Sequence, residues 1–127
     1  MTTFEQLLAA VGAPLNHRAH VHLTWLAVQE AGMPAAITLV SDGLRRTARY
    51  AGAPQKYHAT VSRAWVELVA HHVAENPAAD FGSFAAGNPA LLDKRLLTRF
   101  YRPVTLAATA ARTGWVKPDV APFPWLA

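Results

Sequence analysis

Three of the six histidines lie in one short stretch, residues 16–29. On a helical wheel His17 and His20 fall within about 100° of apolar Val21 and Val28, on what would be the inward side of a helix. His22 falls on the opposite side, where we expect it to meet water. The pattern therefore predicts two inward histidines, each of which needs a polar partner.

A fourth histidine, His58, opens a second apolar helix face that also carries Ser62, Trp65 and His72. An antiparallel helix between the two stretches would bring both openings to the same end of a bundle. We therefore expect His17, His20 and His58 to form one cluster. His72 is predicted in the core at the other end, and neighbouring His71 at the surface.

Three clustered imidazoles are ligands that zinc, iron or copper accept, and they leave coordination positions open for water and substrate. The chain has no cysteine, so histidine and carboxylate are the side chains left for metal binding. The leading prediction is a metal-dependent enzyme acting on a small molecule through His17, His20 and His58. The chemistry, hydrolytic or oxidative, stays open because the metal decides it. The HxxH spacing lacks the glutamate of an HExxH site.

Further residues are predicted around this cluster. Tyr57 could donate a proton or a hydrogen bond to the substrate beside His58, since its hydroxyl both donates and accepts. Arg18 and Arg49 could hold an anionic substrate group. The indole rings of Trp25 and Trp65 flank the histidine-bearing faces and could line the pocket, although aromatics at helical spacing are commonly core.

Two other interpretations of the histidines remain open at this stage. They could be structural, satisfied by backbone, Tyr57 or Thr24, in a non-catalytic bundle that binds a small ligand or a protein. They could instead form a metal-free acid/base pair, with His58 held by Tyr57 or Ser62. A positive face formed by Arg45, Arg46 and Arg49 could bind an anion or simply be solvated. We do not expect a nucleic-acid partner, because no helix-turn-helix pattern accompanies it.

The apolar spacing predicts an all-α fold, a compact helical bundle of four to five main helices. The predicted helices are residues 3–11, a second from the Asn16 cap to Gly32, a third from Pro34 to Gly52, and a fourth from Lys56 or Tyr57 to Glu75. Short helical pieces follow, and a last helix is predicted over residues 103–114. The remaining residues, 115–127, are proline-rich and predicted to be extended and pinned by aromatics.

Length and composition predict one domain over residues 1–127, large enough to bury a core without a disulfide. The net charge of +4 favours weak attraction to anions and falls short of a polybasic tract. No secretory signal and no stretch long enough for a membrane span are present. We therefore expect a cytoplasmic protein with a small-molecule substrate, which an anionic group would suit, and a homodimer is a further expectation.

Several segments together resemble a known kind of protein. They are Asn16-His-Arg-Ala-His, Lys56-Tyr-His-Ala-Thr-Val-Ser-Arg-Ala-Trp65, Leu96-Leu-Thr-Arg-Phe-Tyr-Arg-Pro103 and Val116-Lys-Pro-Asp-Val-Ala-Pro-Phe-Pro124. The chain is similar to a group of small uncharacterised bacterial helical proteins with HRxH and KYHxT motifs. The resemblance implies one complete module, and it carries no activity or catalytic residue.

Overall fold

A computed structural model describes residues 2–12 and 14–126 of the chain, which form a helical bundle with no β-strand in those ranges. The α-helices are α1 (Phe4–Val11), α2 (His17–Ala31), α3 (Ala35–Tyr50), α4 (Ala59–Glu75), α5 (Phe81–Gly87), α6 (Pro103–Ala107) and α7 (Thr109–Thr113). Short 3₁₀ helices cover Pro54–Lys56, Pro89–Leu92, Lys94–Arg99 and Pro124–Leu126. The all-α prediction is confirmed.

The first two helices begin where the sequence predicts, because polar side chains cap them. Thr3 and Gln6 form a reciprocal capping box at the start of α1. The Asn16 side chain accepts a hydrogen bond from the backbone N–H of Ala19, at 2.9 Å. Gly32, with a φ of 64°, ends α2 in a conformation that other residues rarely adopt.

Two predicted helix boundaries are wrong. The fourth helix starts at Ala59, not at Lys56 or Tyr57, because Pro54 initiates a separate 3₁₀ turn and His58 is extended, with φ −133° and ψ 110°. The helix predicted over residues 103–114 is divided at Ala108, whose ψ of 148° interrupts the hydrogen-bond ladder. The two halves, α6 and α7, face different partners as a result.

The core consists of two apolar clusters that meet along α2 and α4. One joins α1, α2, α3 and α4 through Phe4, Leu7, Leu23, Ala27, Ala36, Val40 and Val66. In this cluster the Phe4 ring packs directly on the Cα of Gly43 in α3. The helix α3 therefore approaches α1 at a position where any side chain would be in the way.

The second cluster packs the C-terminal half of the chain over α2 and α4. Its members include Trp25, Trp65, Leu68, Phe81, Phe84, Leu91, Leu96, Leu97, Tyr101 and Phe123. The tail is held as predicted by its aromatics, since Phe123 is fully buried and stacks on Trp125 with ring centroids 4.7 Å apart. Within residues 2–12 and 14–126 we find no helix with the length and apolarity that crossing a membrane requires.

Hydrogen bonds made by three polar residues fasten the tail to the bundle. The hydroxyl of buried Thr60 donates to the carbonyl oxygen of Gly114 at 2.7 Å and accepts from the N–H of Val116 at 3.1 Å. The Tyr101 hydroxyl donates to the carbonyl oxygen of Val116 at 2.6 Å. Asp119 accepts from the backbone N–H and the guanidinium of Arg102 and from the hydroxyl of Thr105. We call these contacts the tail clasp.

Candidate ligand cavity

The three histidines of the predicted cluster line one cavity of about 700 Å³, which we call the histidine cavity. Its wall is formed by the N-terminal end of α2, the C-terminal half of α3, the N-terminal half of α4, the 3₁₀ helix Lys94–Arg99 and α6. The lining residues are Leu15, Asn16, His17, His20, Leu44, Thr47, Ala48, Ala51, Ala53, Lys56, Tyr57, His58, Val61, Ser62, Trp65, Lys94, Leu97, Thr98 and Leu106. The ends of α2 and α4 that carry these histidines therefore meet, as the antiparallel arrangement predicts.

His17 is held by a backbone group on one side and an aromatic ring on the other. Its Nε2 lies 2.9 Å from the carbonyl oxygen of Leu91, and a carbonyl can only accept, so Nε2 carries the hydrogen. The ring meets Trp65 edge-on, with centroids 4.7 Å apart. One nitrogen of His17 is thus committed to fixing the start of α2 against the Pro89–Leu92 turn.

His58 has both ring nitrogens in use. Its Nδ1 accepts a hydrogen bond from the N–H of Val61 at 3.1 Å and thereby caps α4. Its Nε2 donates to the carbonyl oxygen of Leu106 at 2.7 Å. This pair of contacts fixes the neutral tautomer with the hydrogen on Nε2, and it ties the start of α4 to α6.

Among the three histidines of the cavity, His20 is the one whose ring has no hydrogen-bond partner within residues 2–12 and 14–126, and it faces the histidine cavity. Burial and, to a smaller extent, the nearby His17 lower the pKa of its imidazole to about 4. The ring is therefore neutral at physiological pH, since the charged form would lose its hydration. A neutral imidazole offers one donor and one acceptor to whatever enters the cavity.

The predicted three-histidine ligand set does not fit a metal ion in this arrangement. His58 could bind a metal only by giving up its bond to Val61 or to Leu106, since both nitrogens are occupied. Across residues 2–12 and 14–126, no three histidine or carboxylate side chains are grouped to hold one ion. The metal-dependent enzyme with zinc, iron or copper stays a prediction from the sequence, and the side-chain geometry gives it no support.

The structure divides the other predicted site residues among four places. Tyr57 and Trp65 line the histidine cavity. Trp25 lies in the core between Phe81 and Phe84, so the expectation that it lines the pocket is wrong. It packs in the second apolar cluster, where α5 supplies Phe81 and Phe84 as its neighbours.

Neither predicted arginine reaches the histidine cavity. The Arg18 guanidinium lies over the Phe81 ring, 5.3 Å from its centroid, in a separate groove beside Gly12 and Pro14. Arg49 lines a neighbouring cleft that borders the cavity at Tyr57. The prediction that Arg18 or Arg49 holds a substrate group within the histidine site is therefore not met by their positions.

The remaining histidines pack against aromatic rings. His22, expected to meet water, is half-buried and stacks on Phe81 with centroids 4.2 Å apart. Burial lowers the pKa of His22, with a smaller contribution from Arg18. His71, expected at the surface, is half-buried beside Trp125, 5.0 Å between centroids. His72, expected in the core, is half-buried and donates from Nδ1 to the carbonyl of Leu68.

Several lining residues were not predicted as site residues. Ala48, near the end of α3, and Ala51, just after it, have small side chains that leave the space that a larger residue would fill. Lys56 and Lys94 come from the 3₁₀ segments, where no helical periodicity exists to indicate their direction. The two lysines are consequently the part of the site that sequence reasoning had no means to find.

Comparison of the chain with protein-family models, with curated proteins and with solved structures gave no match. The resemblance to small bacterial helical proteins thus stays a prediction.

Proposed function

We propose that this protein binds a small molecule in the histidine cavity, and that the ligand combines an apolar body with an acidic group. The observation that carries the proposal is the composition of the wall. Aliphatic and aromatic side chains surround a neutral His20, two lysines stand among the lining residues, and no carboxylate is one of them. The volume, about 700 Å³, falls in the range of small-molecule sites.

The charge of the lining selects the ligand class. Lys56 and Lys94 reach the cavity from separate 3₁₀ helices, and both residues are exposed. An acidic ligand would pair with either ammonium, whereas a cationic ligand would find no opposite charge there. The apolar part of the ligand would displace water from Leu44, Val61 and Leu97, which supplies the hydrophobic share of the affinity.

Binding is better supported than acid/base catalysis. A general base works best when its pKa lies near the operating pH, and burial holds the pKa of His20 at about 4. The other candidate is the predicted catalytic pair Tyr57 and His58. To transfer a proton, His58 would need a free ring nitrogen, but each of its two nitrogens already bonds to a backbone group. His20 is suited instead to orienting a ligand by hydrogen bonds.

Nuclear magnetic resonance titration tests this proposal. We expect octanoate to shift amide signals of residues around the cavity in a saturable 1:1 manner, with octanol weaker and octylamine weakest. Ala48→Phe fills the cavity and should abolish these shifts, while Ala74→Phe, an exposed position in α4, should leave them unchanged. The absence of saturable shifts with all three probes, or equal shifts in both variants, would overturn the proposal.

The lysines allow a sharper test of the acidic group. Lys94→Gln should weaken octanoate about threefold to tenfold and leave octanol unaffected, because only the acid pairs with the ammonium. Lys117→Gln removes an equal charge from an exposed position outside the cavity and is the matched control. If Lys94→Gln weakened the affinities for octanoate and octanol equally, Lys94 would contribute to binding through packing and would not recognise the acidic group by its charge.

The metal-dependent enzyme is the competing proposal and has its own readout. Equilibrium dialysis against Zn²⁺, Fe²⁺ and Cu²⁺ would have to give one ion per chain in the wild type and none in His17→Ala or His58→Ala. Such a result would require His58 to leave its contacts with Val61 and Leu106, which loss of helical order at the start of α4 would report. Location in the cytoplasm and assembly as a homodimer are likewise proposals, and sedimentation velocity would test the latter.

A further inference from the structure

A second cavity beside the first is lined by three arginines from two helices. Arg45 and Arg49 project from α3 and Arg112 from α7, around a space of about 440 Å³. Pro54, Gln55, Tyr57, Ala59 and Thr113 complete the lining. We call this the arginine cleft. It adjoins the histidine cavity at Tyr57, which lines both.

The positive charge of the arginine cleft is uncompensated. No carboxylate lines it, and among residues 2–12 and 14–126 none of its three guanidiniums pairs with an acidic side chain. By contrast Arg46, one residue away on α3, pairs with Glu5, and Arg63, Arg95 and Arg102 each pair with a carboxylate. Four of the eight acidic residues thus pair with arginines elsewhere, and among the described residues none pairs with an arginine of this cleft.

The cleft also brings positively charged side chains close together. Arg45 and Arg49 lie four residues apart on α3, a spacing that places their side chains on one face and makes them repel. Arg112 approaches from the other wall. A bound anion would turn this repulsion into attraction, so the arrangement favours anion occupancy.

Arg112 is positioned by the backbone. Its guanidinium donates to the carbonyl oxygen of Gln55, and the side chain is half-buried. A guanidinium carries five N–H donors, so this contact orients the group and leaves other donors for a ligand. Thr113 and Tyr57 add hydroxyl groups to the same cleft.

We propose that the arginine cleft binds the phosphate group of a small phosphorylated molecule. Three guanidiniums carry more charge and more donors than a single carboxylate can use, since one arginine already satisfies a carboxylate through two hydrogen bonds. A phosphate monoester carries close to two negative charges and three strong acceptor oxygens. The site stands on its own residues and requires no ligand in the histidine cavity.

Isothermal titration calorimetry with inorganic phosphate, at constant ionic strength and with chloride as the reference anion, tests this site. We expect saturable 1:1 binding to the wild-type chain. Arg49→Gln and Arg45→Gln should each weaken the affinity about tenfold or more, because each removes charged donors to the phosphate. Both positions are exposed, so the variants should fold, and circular dichroism checks this.

Arg99→Gln is the matched control, because Arg99 is exposed and lines neither the arginine cleft nor the histidine cavity. It should retain wild-type affinity. Equal weakening in Arg99→Gln and Arg49→Gln would reveal diffuse charge attraction and overturn the proposal. Absence of saturable phosphate binding would overturn it as well, and so would affinity for a single-stranded oligonucleotide without affinity for phosphate. None of these three results bears on octanoate binding, which Ala48→Phe tests separately.

Discussion

Hydrogen-bond partners decide what each histidine of the cavity can do. His17 and His58 donate to the carbonyl oxygens of Leu91 and Leu106, so they join helices that are distant in the sequence. His20 has no such contact in the described residues and keeps both ring nitrogens for a ligand. Three residues of one type in one cavity therefore have different roles, two in the fold and one in the proposed binding.

The low pKa of His20 predicts a pH-dependent stability. The unfolded chain takes up this proton near pH 6.5, whereas the folded chain takes it up at about 4. The unfolded state therefore binds more protons between these values, and stability falls as the pH drops from about 6.5 towards 4. Since the side chain is only half-buried, we expect the loss between pH 7 and pH 5 to be about 1–2 kcal/mol.

Urea denaturation of wild type and His20→Gln at both pH values measures this effect. The difference in unfolding free energy between the two proteins should shrink at pH 5, because glutamine has no proton to gain. His71→Gln removes a histidine outside the cavity, and its unfolding free energy should change between pH 7 and pH 5 as it does in the wild type. If His20→Gln lost as much stability between pH 7 and pH 5 as the wild type does, His20 would have to take up its proton equally well in the folded and unfolded states, which would contradict the prediction.

For single residues, the sequence indicated which histidines come together but did not indicate their hydrogen-bond partners. The wheel placed His17 and His20 correctly because both lie inside α2. His58 was placed by the same wheel although it lies outside α4, where helical periodicity does not apply. It reaches the cavity because its ring caps the helix and bonds to Leu106, and a tertiary contact of that kind leaves no periodic trace.

Among the elements, the contact between α1 and α3 depends on the absence of one side chain. In an exposed helix interior, Gly→Ala stabilises by about 1 kcal/mol. At Gly43 a Cβ would overlap the Phe4 ring, and Phe4 is fully buried, so the clash outweighs the gain in helix propensity. We expect Gly43→Ala to destabilise the protein by about 1–3 kcal/mol.

A double-mutant cycle measured by thermal denaturation identifies the cause. Phe4→Leu alone should be destabilising, but Gly43→Ala added to Phe4→Leu should cost less than it does in the wild type. Additive effects would contradict a direct clash between residues 4 and 43. The sequence alone does not predict the role of Gly43, because nothing in the helical pattern reveals which residue faces it.

The long helices were predictable and the short elements were not. The helix α2 has a side-chain cap and a glycine stop, and both α2 and α3 have enough turns for a periodic pattern. The segments after Pro77 each have too few residues for periodicity, and their ends depend on contacts such as that of Asp119 with Arg102 and Thr105. Predicting one helix over residues 103–114 failed for this reason.

For the whole molecule, the tail clasp links the tail, residues 115–127, to the bundle. Thr60→Val keeps the shape of the buried side chain but removes two hydrogen bonds, to Gly114 and Val116. We expect a loss of about 2–3 kcal/mol, since the freed backbone groups lie in a partly buried site. Thr38→Val, an exposed position in α3, is the control and should change stability by less than about 0.5 kcal/mol. Similar effects of the two changes would contradict the clasp.

Asp119 gives the clasp a second, acid-sensitive component. The Thr105 hydroxyl, the Arg102 backbone N–H and then the Arg102 guanidinium lower the pKa of its carboxyl to about 2. The folded pKa lies below the unfolded value of about 3.8, so this stabilisation is present above about pH 4 and is lost as the pH falls towards 2. Asp119→Asn should remove that dependence in acid titrations followed by circular dichroism, while Asp42→Asn should preserve it.

Because the chain is synthesised from its N-terminus, the histidine cavity is completed later than the apolar cluster that joins α1 to α4. The apolar cluster that joins α1 to α4 needs nothing beyond residue 66, so it can assemble while the ribosome is still producing the rest. The cavity wall, by contrast, requires Leu106, whose carbonyl also completes the contacts of His58. A nascent chain therefore acquires its helical core before it acquires a closed binding site, and ligand cannot assist the first stage of folding.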